Sequence, residues 1–244
     1  MAMTCCEIIF EDDFLIAVNK PEDVLSHPNP GKGSGAGKQA TQSAAFEGPY
    51  DYSHRRFDTP DRPVWLIHRI DQDTSGILLA AKTEETAKSL RTMFDQHAIR
   101  KSYIALVGNR PLPPKGKWND HLKEEKHPDY VRAKINPLAK PNVELLYATK
   151  QNFPKCKLAL LEFYLLTGRT HQIRVQSAFH ENPVAGDRVY GDFVLNKKLK
   201  ERIGLRRLFL HASELSFQHP QTKKNIMIQS ALPEELEKVL RRAY

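Results

Sequence analysis

The residues best suited to chemistry lie in the run His68-Arg69-Ile70-Asp71-Gln72-Asp73-Thr74-Ser75-Gly76. It sets a carboxylate in a short polar loop between two very apolar stretches, VWLIHRI (64–70) and GILLAAK (76–82). A carboxylate at the edge of a core, beside a cation and hydroxyl donors, is what a nucleophile or a general base requires. The same residues also allow a plainer arrangement, in which Asp71 or Asp73 caps the turn and Arg69 is its surface partner. A second run, TGRTHQIR (167–174), gathers Arg169, His171, Gln172 and Arg174 around a glycine turn that enters a helix. Arginine, histidine and a helix N-terminus together suit phosphate groups. The plainer alternative is an exposed helix start with solvated arginines.

These runs need a scaffold. IIFEDDFLIAVN (8–19) reads as two strands around an acidic turn, ended by Lys20-Pro21. The apolar stretches at 64–70 and 76–82 read as strands flanking the Asp71 loop. Ala87, Leu90, Phe94 and Ala98 recur at helical spacing, so 84–98 is expected as a helix capped by Thr83. KSYIALVG (101–108), VELLYAT (143–149), KLALLEFYLL (157–166), LFLHASELSFQH (208–219) and NIMIQ (225–229) read as strands. Residues 171–181 read as a short helix, and Pro233 opens a final amphipathic one. The stretch 109–141, rich in Pro and Lys, is expected to be irregular. Residues 29–62, beginning in PNPGKGSGAGK (28–38), are expected as a flexible Gly/Ser-rich insertion. The phosphate-loop pattern GxxxxGK[ST] fails there, because Lys38 is followed by Gln39. Helices do not alternate with strands, which argues against a doubly wound parallel sheet. The expected class is α+β, with a mixed, mostly antiparallel sheet flanked by helices.

With 244 residues the chain is long enough for a sizeable core. It carries 37 basic and 29 acidic residues, a net charge of +8. Residues 1–30 hold six acids against Lys20 alone, so the basic excess belongs to the rest of the chain. That balance excludes an acidic solvating tail and is consistent with a polyanionic partner. Seven bases fall between Arg188 and Arg207, against Asp192 and Glu201. Taken alone, such a run reads as a solvated helix face. The three cysteines, Cys5, Cys6 and Cys156, form no CxxC pair, so neither a zinc knuckle nor a disulfide framework is expected, and a reducing compartment is the natural setting. There is no apolar run of membrane-spanning length and no secretory signal pattern. HExxH, clustered Cys or His ligands and a dinucleotide fingerprint are not among the motifs.

Taken in order, the motifs resemble those of the RluA-type family of RNA pseudouridine synthases. HRIDQDTSGILL (68–79) is similar to the family pattern HRLDxxTSGLLL, and TGRTHQIR to TGRxHQIR. Asn19-Lys20-Pro21 followed by Ser26-His27-Pro28, KSYIALV (101–107), GDRVYG (186–191) and RLFLHASELSFQHPQT (207–222) also follow the family layout. The resemblance implies the pseudouridine synthase fold, with a catalytic cleft across the sheet. It implies that Asp71 attacks the target uridine, that Tyr103 packs against the base and assists proton removal, and that Arg174 pairs with Asp71. It implies that Arg69 occupies the space left by the flipped nucleotide, and that His68, Thr74, Arg169, His171 and Gln172 shape the pocket or touch RNA. Ile70 replaces the usual leucine, and Gln176 stands where a histidine is more common.

The chemistry agrees. Breaking a glycosidic bond, rotating the base and rejoining it through carbon needs an ionised carboxylate, an aromatic platform and a plug for the RNA stack. The expected function is isomerisation of specific uridines in ribosomal or transfer RNA by a cytoplasmic, cofactor-free monomer. A non-catalytic RNA-binding protein of the same fold is the alternative, and a base-excising hydrolase a weaker one. One catalytic domain spanning 1–244, without a separate N-terminal RNA-binding module, is expected. Lys115, Lys117, Lys123, Lys126 and the 188–207 cluster are its candidate RNA-facing patches.

Overall fold

Apolar stretches of four to nine residues punctuated by Pro, Gly and Asn can satisfy their backbone groups most simply in a sheet. The computed structural model describes residues 4–28, 43–126 and 131–244. Within them the order is β1 (Glu7–Glu11), β2 (Leu15–Lys20), β3 (Tyr50–Asp51), β4 (Arg56–Asp58), β5 (Pro63–Leu66), β6 (Ser75–Ala81), α1 (Glu84–Asp95) and β7 (Arg100–Gly108). Then follow β8 (Lys115–Asp120), β9 (Leu122–Lys126), β10 (Val131–Ile135), β11 (Val143–Phe153), β12 (Leu158–Leu165), α2 (Gln172–Phe179) and α3 (Phe193–Ile203). The last elements are β13 (Leu210–Gln218), β14 (Asn225–Gln229) and α4 (Glu234–Ala243).

The chain forms two compact units, Met1–Ile99 with Leu215–Ser230, and Arg100–Glu214 with Ala231–Tyr244. In the first, β6 runs antiparallel to β2, with Leu15 opposite Ala81 and Lys20 opposite Gly76. It also runs antiparallel to β5, and β5, β4 and β3 continue the sheet. All seven residues of β6 are buried. Its side chains alternate between two apolar clusters. Ile77, Leu79 and Ala81 face a cluster shared with Ala87 and Leu90 of α1. Leu78 and Ala80 face Phe46, Phe57 and Val64. Burial on both faces is why this strand reads as a continuous apolar run. Thr83 caps α1 as expected, accepting from the Thr86 N–H.

In the second unit, β7, β12, β11 and β8 are successively antiparallel. Leu199 and Ile203 of α3 and Leu236, Val239 and Ala243 of α4 share a core with Leu106, Phe153 and Leu158. β9 and β10 form a separate two-stranded ribbon. The fold is thus the mixed, mostly antiparallel α+β architecture expected.

Three local expectations change. The strand at 64–70 stops at Leu66, and the chain leaves the sheet before the Asp71 loop. The stretch 109–141 is not irregular but carries β8, β9 and β10. β8 buries only Trp118, so a half-exposed strand at the sheet edge tolerates the lysines that hid it. Of the 29–62 insertion, 29–42 lie outside the described residues; the remainder includes β3 and β4 rather than a uniform loop.

Candidate active site

Asp71 lies in the first unit, half-buried, at the head of a turn closed by the Thr74 N–H donating to the Asp71 carbonyl at 3.0 Å. Its approach is fixed residue by residue. His68 stacks on Phe94 of α1 at 5.1 Å between ring centres. Its Nε2 accepts the Leu79 N–H at 3.1 Å, which places the proton of the neutral ring on Nδ1. Arg69 is exposed. Ile70 is buried and held at both backbone groups by one hydroxyl: Ser26 Oγ donates to its carbonyl at 2.8 Å and accepts its N–H at 3.1 Å. Thr74 is buried, and its hydroxyl has no hydrogen-bond partner among the described residues.

Lys20 completes the clamp. Its side chain is fully buried at the end of β2. Its ammonium donates to the carbonyls of Pro21 and Val24, each at 2.8 Å, and of Gln72 at 3.0 Å. An ammonium has three donors to satisfy, and these carbonyls converge on it. The Gln72 carbonyl also accepts the Asp23 N–H at 3.1 Å. The backbone next to Asp71 is thereby tied to the segment that follows β2. The resemblance marked Asn19-Lys20-Pro21 only as a strand ending. A lysine at the close of an apolar strand, just before proline, is the signal that this role left in the sequence.

In the second unit, Tyr103 sits on β7 opposite Phe163, with 8% of its surface exposed. Lys101, two residues earlier, shares its face of the strand. Burial pulls the Lys101 ammonium below its ordinary pKa. Arg174 is buried on α2, and its guanidinium grips Asp187 with two hydrogen bonds, Nε to Oδ2 at 2.7 Å and Nη2 to Oδ1 at 2.9 Å. It also lies over the Tyr190 ring at 5.3 Å. Burial works against ionisation of Asp187. The Arg174 contacts and the Val189 and Tyr190 N–H groups outweigh it and hold the carboxyl below its ordinary range. Asp187 and Tyr190 lie in GDRVYG, which sequence reasoning recorded without giving them a role. The loop needs its first glycine: Gly186 has φ +78°, and a Cβ there would meet the Arg207 carbonyl oxygen.

The TGRTHQIR turn divides into surface and interior. Arg169 is exposed. His171 caps α2 in the left-handed region and exchanges a 2.8 Å hydrogen bond with the Tyr190 hydroxyl. Gln172 is buried instead of facing solvent. Its Oε1 accepts from Thr167 Oγ1 and the Arg169 N–H, and its Nε2 donates to the Glu144 carbonyl and to Gln176 Oε1. Gln176 passes the chain on to Asp120, which also meets His180 at 3.0 Å. Gln172 therefore latches the turn, and Gln176 is part of the same buried relay. In the basic patches, Arg188, Lys197, Lys198, Lys200, Arg202 and Arg206 are exposed, as are Lys115, Lys117 and Lys123. Arg207 is buried and paired with Glu235. The side chain of Lys126 lies outside the described residues. Among the described residues, no cluster of three or more His, Cys, Asp or Glu side chains is placed to hold a metal.

The clamped, half-buried Asp71 belongs to the first unit, and the buried Arg174–Asp187 pair and the strand-borne Tyr103 belong to the second. The family model described as RNA pseudouridylate synthase matches residues 14–179. The chain belongs to this family of RNA pseudouridine synthases, which are isomerases. It is 33% identical over 241 residues to a ribosomal large subunit pseudouridine synthase C of Haemophilus ducreyi, covering 96% of this chain and 68% of that protein. It is 34% identical over 239 residues to a tRNA pseudouridine synthase C of Vibrio cholerae, covering 93% and 91%. The fold matches the human RNA pseudouridylate synthase domain containing 4 with a TM-score of 0.70 at 20% identity, over 97% of this chain and 92% of that one.

Proposed function

We propose that the chain converts a specific uridine of a ribosomal or transfer RNA to pseudouridine, with the Asp71 carboxylate as the attacking group. The observation that carries this is the clamp: Lys20 and Ser26 fix the backbone on both sides of a half-buried aspartate inside the HRIDQDTSG run. A nucleophile held in one geometry gains from orientation what a mobile one loses. A bond forms between Asp71 and the target nucleotide and the glycosidic N1–C1′ bond breaks; the uracil rotates, carbon 5 bonds to C1′, the bond to Asp71 breaks, and the proton lost from carbon 5 is offset by one gained at N1. Tyr103 packs against the rotating ring and assists loss of the carbon-5 proton. Arg174 favours the ionised carboxylate, and Arg69 fills the stack vacated by the flipped nucleotide. His68, Thr74 and Gln172 act from behind, shaping the pocket, while Arg169 and His171 meet RNA phosphates.

Both units serve one catalytic domain in this reading, since the family match at 14–179 runs through both. Relatives named for ribosomal RNA and for tRNA match at nearly equal identity, so either RNA class is a candidate substrate. Cys5, Cys6 and Cys156 are free thiols, in keeping with a reducing, cytoplasmic setting. The test is tritium release from RNA labelled at carbon 5 of uridine. Wild type is expected to release it and Asp71→Ala to lose activity by several orders of magnitude; an active Asp71→Ala protein overturns the assignment. Mapping pseudouridine in ribosomal and transfer RNA from cells with and without the gene identifies the substrate.

A further inference from the structure

Within the first unit, the β3–β4 hairpin carries an aromatic and cationic surface for which the catalytic roles above give no use. Tyr50 of β3 stacks face to face on His27, 5.1 Å between ring centres with planes 7° apart. Tyr52 stands at 90° to Tyr50 at 5.0 Å. Its hydroxyl donates to the Pro28 carbonyl at 3.0 Å, yet 47% of the residue is exposed. The turn beyond it is closed by hydrogen bonds. Asp51 accepts from the Ser53 N–H and hydroxyl and from the His54 N–H, and its other oxygen meets His54 Nδ1. The Arg55 carbonyl accepts the Leu66 N–H at 2.8 Å, and Arg91 Nη2 donates to the carbonyls of His54 and Leu66. The hairpin is thus fastened to the end of β5, the strand that leads into the Asp71 loop.

Its charges are arranged for an anion. Arg55 and Arg69 are both exposed, and neither guanidinium has a hydrogen-bond or ion-pair partner among the described residues. Burial chiefly, with the nearby charges of Arg69 and Arg55, holds His27 below the usual imidazole range and so favours the neutral ring under Tyr50. A cavity of about 300 Å³ lies beside the turn, lined by Ser53, Arg55, Ile67, Arg91, Phe94 and Asp95. It offers arginines to phosphate, and the Ser53 hydroxyl and Asp95 carboxylate to the edge of a base. Fixed rings beside unpaired cations are how proteins hold unpaired nucleotides: the ring takes the base face and the cation the backbone. A protein partner would have to supply matching acids and would leave the exposed ring without a planar ligand.

We infer that the β3–β4 hairpin binds an unpaired nucleotide flanking the target uridine, with Tyr52 stacking on its base and Arg55 on its phosphate. This rests on the RNA pseudouridine synthase reading and adds a specificity surface to it. The test uses the full chain in wild-type, Tyr52→Ala, Tyr52→Phe and Arg55→Gln forms. Two probes are used: carbon-5-tritiated RNA from cells lacking the gene, and a short fluorescent oligouridylate. Tyr52→Ala is expected to raise KM for tritium release, and Kd for the oligouridylate, about 5- to 100-fold. Tyr52→Phe, which keeps the ring, recovers most of that loss. Arg55→Gln is expected to lower the slope of log affinity against log salt by about 0.7. Wild-type KM, Kd and salt slope in both Tyr52→Ala and Arg55→Gln overturn the inference. If wild type releases no tritium, the catalytic reading fails separately, and oligouridylate binding still decides the hairpin. Should Tyr52→Ala unfold, the Tyr52→Phe and Arg55→Gln comparison decides.

Discussion

Lys20 shows how one buried side chain fixes the backbone beside another residue. A fully buried ammonium is costly unless its donors are satisfied, and here the carbonyls of Pro21, Val24 and Gln72 converge on it. Lys20→Met removes the charge but leaves three buried acceptors without donors, at about 1–3 kcal/mol each. Urea unfolding is expected to show a loss of about 3 kcal/mol or more, and the surviving folded protein a lower kcat with a nearly constant KM. Lys20→Arg is expected not to rescue it, because a planar guanidinium cannot converge on three carbonyls around one nitrogen. A stable, fully active Lys20→Met protein would show that the Asp71 loop holds its shape unaided. The Asp71 motif was legible in the sequence because its chemistry is written in adjacent residues. The Lys20 clamp was not, because Lys20 and Gln72 are brought together only when β2 pairs with β6.

At the scale of elements, α2 and the loop 186–191 are held together by the Arg174–Asp187 pair. Asp187 has a folded pKa below its unfolded value of about 3.9. Its contribution to stability is therefore fully present above that unfolded value and is lost as pH falls through the folded one. Asp187→Asn is expected to flatten this acid limb of the stability curve. It leaves a buried guanidinium without its counter-charge, at about 3–5 kcal/mol near neutral pH. Thermal melts of both proteins between neutral and acid pH check the two effects; parallel curves would show that the pair is energetically idle. The α2 helix itself was readable from TGRTHQIR. Its partner was not, since thirteen residues and a turn through Gly186 separate Arg174 from Asp187.

For the whole molecule, charge governs attraction to RNA. The net +8 combines −5 in residues 1–30, where six acids face a single lysine, with +13 in the rest of the chain. Lys197, Lys198 and Lys200 are exposed on α3, with Leu199 and Ile203 turned into the core. The exposed face is therefore open to a polyanion, and substitution there leaves the packing intact. A Lys197→Glu, Lys198→Glu, Lys200→Glu triple variant is expected to melt within about 1 kcal/mol of wild type. Its affinity for structured RNA should fall at least tenfold at low salt, with a shallower salt dependence. Wild-type affinity and slope in filter binding would remove α3 from the RNA-facing surface.

The sequence by itself determined the family, the α+β class and most strands, and it singled out Asp71 as the candidate carboxylate, because these depend on residue type and short-range period. Seven buried positions in β6 and the capping Thr83 are local facts that folding could only confirm. The tertiary structure decided which polar residues do structural work. It turned Gln172 inward as a latch and buried Arg207 against Glu235. It also made edge strands of a lysine-rich stretch and a hairpin of part of an apparent loop. The Gln172–Glu144 bond, the Arg207–Glu235 pair and the pairing of β8 with β11 each depend on a partner distant in sequence. A polar side chain carries no mark of whether water or a buried acceptor will satisfy it until the chain has folded.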